Sequence, residues 1–98
     1  MKTHLARDLT ELESQLSSLG ELVIDSVQCA IDAIGSFDLE KVARIGENEK
    51  RINEMEISIE QNCLKIIALH QPVATDLRFL IVVLKVNNDL ERIADQAV

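Results

Sequence analysis

Residues 76–98, DLRFLIVVLKVNNDLERIADQAV, decide the fold of this chain, because their apolar side chains recur with the period of an α-helix. At about 3.6 residues per turn, one stripe of this helix carries seven positions: Val73, Leu77, Leu80, Leu84, Asn87, Glu91 and Asp95. The first four are apolar, so the stripe is expected to face the interior. The last three are polar or acidic, and an inward carboxylate is costly unless it is paired. The stretch therefore predicts a core helix whose second half needs a cation or a partner.

The composition of the 98 residues favours one small all-helical domain. Only 2% of the residues are aromatic and one is proline, whereas 47% are hydrophobic. Leu, Ile, Val, Ala, Glu and Lys dominate, as in helical bundles. The net charge of −7 excludes the basic surface by which proteins bind nucleic acids. An acidic bundle of this kind attracts cations or a basic partner.

The first residues, the apolar runs and the cysteines of the chain indicate a cytoplasmic protein. The first residues, MKTHLARDLTELE, lack the apolar core of a signal peptide, and the longest apolar run, FLIVVL, is too short to span a bilayer. Cys29 and Cys63 are too few for a disulfide scaffold and form no CxxC motif. We therefore expect two reduced core cysteines.

Two further helices precede the last one, and the three are predicted to form an antiparallel bundle with coiled-coil-like seams. The first ends near Ser36, is not split by Gly20, and has a six-residue inward seam: Leu5, Leu9, Leu12, Leu16, Leu19 and Val23. The second starts at an N-cap, Asp38. It turns another set inward: Val42, Ile45, Ile52, Ile59, Cys63 and Ile66. The second turn is expected near Gln71, because the following proline cannot continue a helix.

The antiparallel arrangement brings acidic side chains of the second and third helices to one height. Glu91 is 20 residues after Gln71 and Glu49 is 22 before it, so both lie roughly 30 to 33 Å from the turn. Asn53 and Asp95 each lie one helical turn from one of these residues. We therefore expect Glu49, Asn53, Glu91 and Asp95 to converge between the two helices.

Two interpretations of these acids remain open. Oxygen ligands suit hard cations such as Mg²⁺, Ca²⁺ and Mn²⁺, and also iron in carboxylate-rich sites. Stacked carboxylates also repel each other unless a cation bridges them. Alternatively, the acids form a solvated helix face that pairs with Lys50, Arg51 or Arg92.

The same residues carry a resemblance to a known family. The run LHQPVATDLRFLIVVLKVNNDLERIADQAV resembles the signature of the PhoU family of phosphate-signalling regulators, in which QP and A-x-DLR precede an apolar stretch and DLERI-[GA]-D. The segment ENEKRINEMEISIE is similar to the family's first acidic motif. The opening HLARDLTELESQLSSLGELV matches the start of these proteins. The resemblance covers essentially the whole chain.

The resemblance implies a fold and a metal site. PhoU-like proteins contain two tandem three-helix repeats, and they bind metal clusters through E/D-x-x-x-D motifs. Glu91 and Asp95 match that motif, and Glu49 matches its partner, but Asn53 stands where aspartate is usual and brings no charge. Asp76 matches the DLR element and either contributes to the metal site or stabilises the helix N-terminus. The implied cofactor is an iron, manganese, magnesium or zinc ion.

The resemblance also implies a function. A PhoU-like protein would couple a phosphate ABC transporter, through its ATPase subunit, to a sensor histidine kinase and so damp the phosphate-starvation response. It would not be an enzyme. The alternatives are a carboxylate metal-binding bundle with redox or hydrolytic activity, which no nucleophile or histidine ligand supports, and a generic helical interaction module. His4 and His70 lack the Glu-x-x-His relation of ferritin-like di-iron sites.

One repeat is present, which is expected to be the N-terminal repeat of a two-repeat protein. A single three-helix unit would leave an apolar flank exposed, and a second copy could cover it as a pseudo-symmetric bundle. We therefore expect self-association. Finally, Arg78, Lys85 and Arg92 recur every seven residues on one outward stripe, which is either a solvated basic face or a site for phosphate or an acidic partner.

Overall fold

The computed structural model describes residues 2–36 and 39–97 and contains three helices: α1 (Lys2–Ser36), α2 (Leu39–His70) and α3 (Ala74–Ala97). They are 35, 32 and 24 residues long. No β-strand occurs in these described ranges. The predicted all-helical three-helix bundle is confirmed, and α1 runs through Gly20 without a break. The predicted N-cap, Asp38, lies outside the described residues.

Polar contacts along the α1–α2 seam show that these two helices are antiparallel. Asp8 pairs with His70 at 3.0 Å, and Gln15 Oε1 accepts a hydrogen bond from Asn62 Nδ2 at 2.8 Å. Further along, Asp25 Oδ2 accepts from Asn48 Nδ2 at 2.8 Å. The partner's number falls as the α1 number rises, so the helices form a long hairpin. The molecule is correspondingly elongated, with extents of 52 × 17 × 15 Å.

The α2–α3 turn is built from a residue in the left-handed conformation. Gln71 has φ of 45°, and its backbone nitrogen donates to the Ile67 carbonyl at 3.1 Å, which closes the last turn of α2. Pro72 follows, and a proline disfavours the right-handed helical conformation in the residue before it. The helix therefore stops where the sequence predicted a turn.

The core follows the predicted seams of α1 and α2, with one correction. Its fully buried members come from all three helices: Leu12, Leu19, Val23, Ile52, Ile59, Cys63, Ile66, Leu80, Val83 and Ala94. Val42 was predicted to face inward but is 53% exposed. Asn48 was not predicted to be in the seam but is buried. Its amide donates a hydrogen bond to Asp25, which compensates for its loss of contact with water.

The inward face of α3 is rotated from the predicted stripe. Its innermost positions alternate spacings of three and four: Leu80, Val83, Asn87, Leu90 and Ala94. Val73 precedes the helix and is 74% exposed, and Asp95 is exposed, so the prediction that both face inward was wrong. The physical reason is that α3 packs into the groove between two helices, so its seam points between them. Leu77, Leu84 and Glu91 form the partly buried edge of that seam.

Neither a membrane span nor a disulfide is found in the described chain. None of the described helices is both long and apolar enough to cross a membrane. Cys29 and Cys63 are buried free thiols, as predicted. Burial, with a smaller contribution from the nearby Glu60 charge, raises the pKa of the Cys63 thiol to about 11.

Candidate functional site

One hydrogen bond sets the height of α3 against α2. Asn87 Nδ2 donates to the backbone carbonyl oxygen of Glu56 at 3.0 Å. Asn87 is 16 residues after Gln71 and Glu56 is 15 before it, so the sequence count placed the two helices within one residue of their observed register. The same register brings the acidic segment of α2 beside the acidic end of α3.

Glu91 lies at the centre of a cluster of carboxylates. A hydrogen bond with Asp95 is the main cause that raises the pKa of Glu91 above its ordinary value of 4.5. Partial burial raises it further, as do the charges of Asp95, Glu56 and Glu49. The structure therefore brings together three of the predicted site residues, Glu49, Glu91 and Asp95.

Glu56 is a fourth member that the sequence prediction left out of the site. Burial raises the pKa of Glu56 above its ordinary value, and the charges of Glu60 and Asp95 add to the effect. The sequence did contain a signal for it, because Glu56 is seven residues, two helical turns, after Glu49 and so shares its face of α2. We call Glu49, Glu56, Glu91 and Asp95 the acidic cluster.

The oxygen ligands of the acidic cluster fit a hard cation, although the side chains do not have a metal-coordinating arrangement. Among the described residues, no three His, Cys, Asp or Glu side chains are arranged to hold a metal ion. The side chains instead repel one another, and a cation would reverse that repulsion. A buried oxygen without a partner, Asn87 Oδ1, lies one helical turn from Glu91. Carboxylate and amide oxygens are the ligands that Mg²⁺, Ca²⁺ and Mn²⁺ prefer.

The other two predicted ligands, Asn53 and Asp76, are not members of the acidic cluster. Asn53 is exposed on α2. Asp76 lines a cavity at the α2–α3 turn together with Leu9, Leu69 and Pro72. It is 15 residues from Glu91, about 22 Å along α3, and therefore cannot share an ion with it. Its place in the first turn of α3 fits a carboxylate at the positive end of the helix dipole.

Comparison with known proteins identifies the family. The model of the PhoU domain matches residues 16–98. A protein of Burkholderia sp., named a phosphate-specific transport system accessory protein PhoU homolog, is 42% identical over 90 residues, which is 92% of this chain and 38% of that protein. The phosphate-specific transport system accessory protein PhoU of Escherichia coli (strain K12) is 37% identical over 90 residues, which is 92% of this chain and 37% of that protein.

A more distant relative gives the same answer. The PhoU homolog of Aquifex aeolicus (strain VF5) is 32% identical over 93 residues, which is 95% of this chain and 42% of that protein. No solved structure matches the chain. The chain spans about two fifths of the length of these relatives. With the domain match and these identities, the chain belongs to the PhoU family.

Proposed function

We propose that this protein is a cytoplasmic accessory protein of a phosphate transport system and regulates phosphate uptake. The observation that carries the proposal is the 42% identity, over 92% of the chain, to a protein named for that role. The name describes an accessory protein, which supports a regulator in preference to an enzyme. The alternative of a generic helical interaction module has no comparable support.

The proposed partners are the ATPase subunit of a phosphate ABC transporter and a sensor histidine kinase. In this proposal the protein couples the two and damps the phosphate-starvation response when phosphate is plentiful. The support is the family resemblance together with a net charge of −7, which favours basic partner surfaces.

A co-purification experiment tests this pathway. Tagged protein should retain the transporter ATPase subunit and the cytoplasmic part of the kinase, and retention should weaken with salt if charge steers binding. A chain of similar length and charge from an unrelated helical bundle is the control. Equal retention by both chains would contradict the proposal.

We propose further that the acidic cluster binds a metal ion as part of this function. Glu49, Glu91 and Asp95 would hold a divalent or iron-type ion, such as iron, manganese, magnesium or zinc, with Asn53 as a weaker contributor. The support is the mutual proximity of the carboxylates, which raises the pKa of Glu91. The competing interpretation is a solvated acidic face that binds no ion.

Calorimetric titration of metal-free protein with each cation separates these two interpretations. Replacing both Glu91 and Asp95 with alanine should abolish binding while circular dichroism still shows helices. Asn53→Asp should tighten binding, because it adds the charge that the family pattern has at this position. If the wild type and the double variant titrate alike, the carboxylates are not a metal site and the acidic face is solvated.

Self-association is the last part of the proposal. Apolar side chains on the outer sides of α1 and α3 are exposed by 36% to 71%: Ile24, Val82, Val86 and Ile93. We call these four residues the α1–α3 apolar face. An exposed apolar patch is typical of an interaction site.

A further inference from the structure

Asn87 is the polar member of an otherwise apolar seam. It is only 2% exposed and follows Leu80 and Val83 along the inner face of α3. Its amide nitrogen donates to the Glu56 carbonyl, while its Oδ1 is buried without a partner. A buried amide that uses one end and leaves the other unpaired destabilises the folded state relative to an apolar side chain of similar shape. Asn87 is therefore not explained by stability alone.

The hydrogen bond of Asn87 lies at the interface between α2 and α3. Several polar contacts connect α1 to α2, among them those of Asp25 with Arg44 and Asn48. Between α2 and α3, the hydrogen bond from Asn87 to the Glu56 carbonyl is the one that the described side chains make. Apolar packing is non-directional, whereas a hydrogen bond to one particular carbonyl is satisfied in one register. A single buried asparagine sets register in the same way in coiled coils.

The position of this bond links it to the acidic cluster. On α2, the accepting carbonyl belongs to Glu56, which is itself a cluster member. On α3, Asn87 is four residues before Glu91, one turn along the same face. A shift of α3 by a single residue would move Glu91 by about 1.5 Å along α2 and rotate it by about 100°. The bond is therefore placed to control which carboxylates meet.

We infer that Asn87 is the positioning residue of the acidic cluster: its hydrogen bond to the Glu56 carbonyl sets the register in which Glu91 faces Glu49 and Glu56. This inference rests on the cation site of the proposed function for its consequence, which is that cation affinity depends on Asn87. The register itself does not depend on a bound cation. Asn87 acts through α3 and is not assigned as a ligand.

The test compares Asn87→Leu with a matched control, Asn62→Leu. Asn62 also donates its amide across a helix interface, to Gln15 on α1, but it lies away from the acidic cluster. The register is measured in metal-free protein as the distance between two spin labels, attached through the substitutions Glu54→Cys and Asp89→Cys. Both positions are exposed, and the native thiols are buried, so labelling is directed to the introduced cysteines. Calorimetry with Mn²⁺ then measures cation affinity in the unlabelled variants.

We expect Asn87→Leu to shift or broaden the label distance and to lower Mn²⁺ affinity by about tenfold or more, as loss of groups that support metal ligands does. Asn62→Leu should leave the distance unchanged and the affinity within about twofold of wild type. Asn87→Val, which is smaller, repeats the test if circular dichroism shows that leucine disrupts the fold.

Two results would overturn the inference: an unchanged label distance in both Asn87 variants, or equal effects of the Asn87 and Asn62 variants. A wild type that binds no Mn²⁺ while Asn87→Leu still shifts the distance would refute Mn²⁺ binding at the acidic cluster and leave the register role in place. The failure of the inference is thus distinguishable from the failure of the proposed function.

Discussion

Gln71 ends α2 in a backbone conformation that is unfavourable for a residue with a side chain. Its φ of 45° lies in the left-handed region, where a Cβ atom is unfavourable and glycine is not penalised. The chain accepts this conformation because Pro72 cannot continue α2. We predict that Gln71→Gly stabilises the protein by about 0.5–1 kcal/mol, after the greater flexibility of glycine in the unfolded chain is subtracted.

Urea denaturation checks this value. Gln61→Gly is the control, since Gln61 lies inside α2 and glycine there should destabilise by about 0.5–1 kcal/mol. If Gln71→Gly is destabilised as much as the control, the left-handed turn is not strained.

Glu91 makes the stability of metal-free protein depend on pH in an unusual direction. The pKa of Glu91 is raised in the folded protein, mainly by its hydrogen bond with Asp95, so the folded state binds more protons than the unfolded chain. Its contribution to stability is therefore fully present below the ordinary value of 4.5 and is lost as pH rises through the higher, folded pKa. We predict that stability falls as pH rises from 4.5 through the folded pKa of Glu91.

The matched variants are Glu91→Gln and Glu21→Gln. The first removes the titrating group from the acidic cluster and should flatten the pH profile of the unfolding midpoint in metal-free protein. The second changes an exposed glutamate of α1 outside the cluster and should leave the profile as in wild type. A Glu91→Gln profile that parallels wild type would show that the cluster is not electrostatically strained.

The α1–α2 hairpin is joined by several polar contacts, and Asp25 makes two of them. One oxygen accepts from the buried Asn48 and the other from the exposed Arg44. We predict that Asp25→Ala destabilises by about 1–3 kcal/mol, because it leaves the Asn48 amide buried without an acceptor. Arg44→Ala removes only an exposed ion pair and should cost less than about 1 kcal/mol.

Thermal or chemical denaturation distinguishes the two variants. Equal losses in both would mean that the ion pair, and not the buried amide bond, carries the contribution of Asp25. A loss in neither would mean that Asn48 finds another acceptor in the variant.

The helices themselves were predictable because their information is local and periodic. The leucine spacing of α1 and the proline after Gln71 determined the helix number and the second turn, and the count from that turn gave the α2–α3 register within one residue. The rotation of α3 was not predictable from its own stripe, because it depends on packing against two neighbours at once. Val73 and Asp95 were placed inward for this reason.

The acidic cluster was predicted in part for the same reason. Glu49, Glu91 and Asp95 follow from their shared height and their position beside the apolar stripe, whereas the role of Glu56 depends on which flank of α2 meets α3. Asn87 was on the predicted stripe, but its hydrogen bond was not predictable. The acceptor is a backbone carbonyl, which every residue has, so no side chain in the sequence indicates it.

At the scale of the whole molecule, the three helix interfaces differ in their polar contacts. Described polar side chains connect α2 to both neighbours, while α1 and α3 meet through apolar packing alone. The outer edge of that apolar interface is the α1–α3 apolar face. Because α1 and α3 both run antiparallel to α2, the contacts of Asp25 with Asn48 and of Asn87 with Glu56 place Ile24 at about the height of Ile93.

We therefore predict that the chain self-associates through the α1–α3 apolar face at micromolar concentration. Replacing both Ile24 and Val86 with glutamate should shift the protein to an 11.0 kDa monomer in sedimentation experiments, because each copy would bury a charge without a partner. Ile57→Glu is the matched control, since Ile57 is 53% exposed but lies on the outer side of α2. A wild type that sediments only as a monomer would contradict self-association. A control variant that dissociates like the double variant would place the contact elsewhere on the bundle.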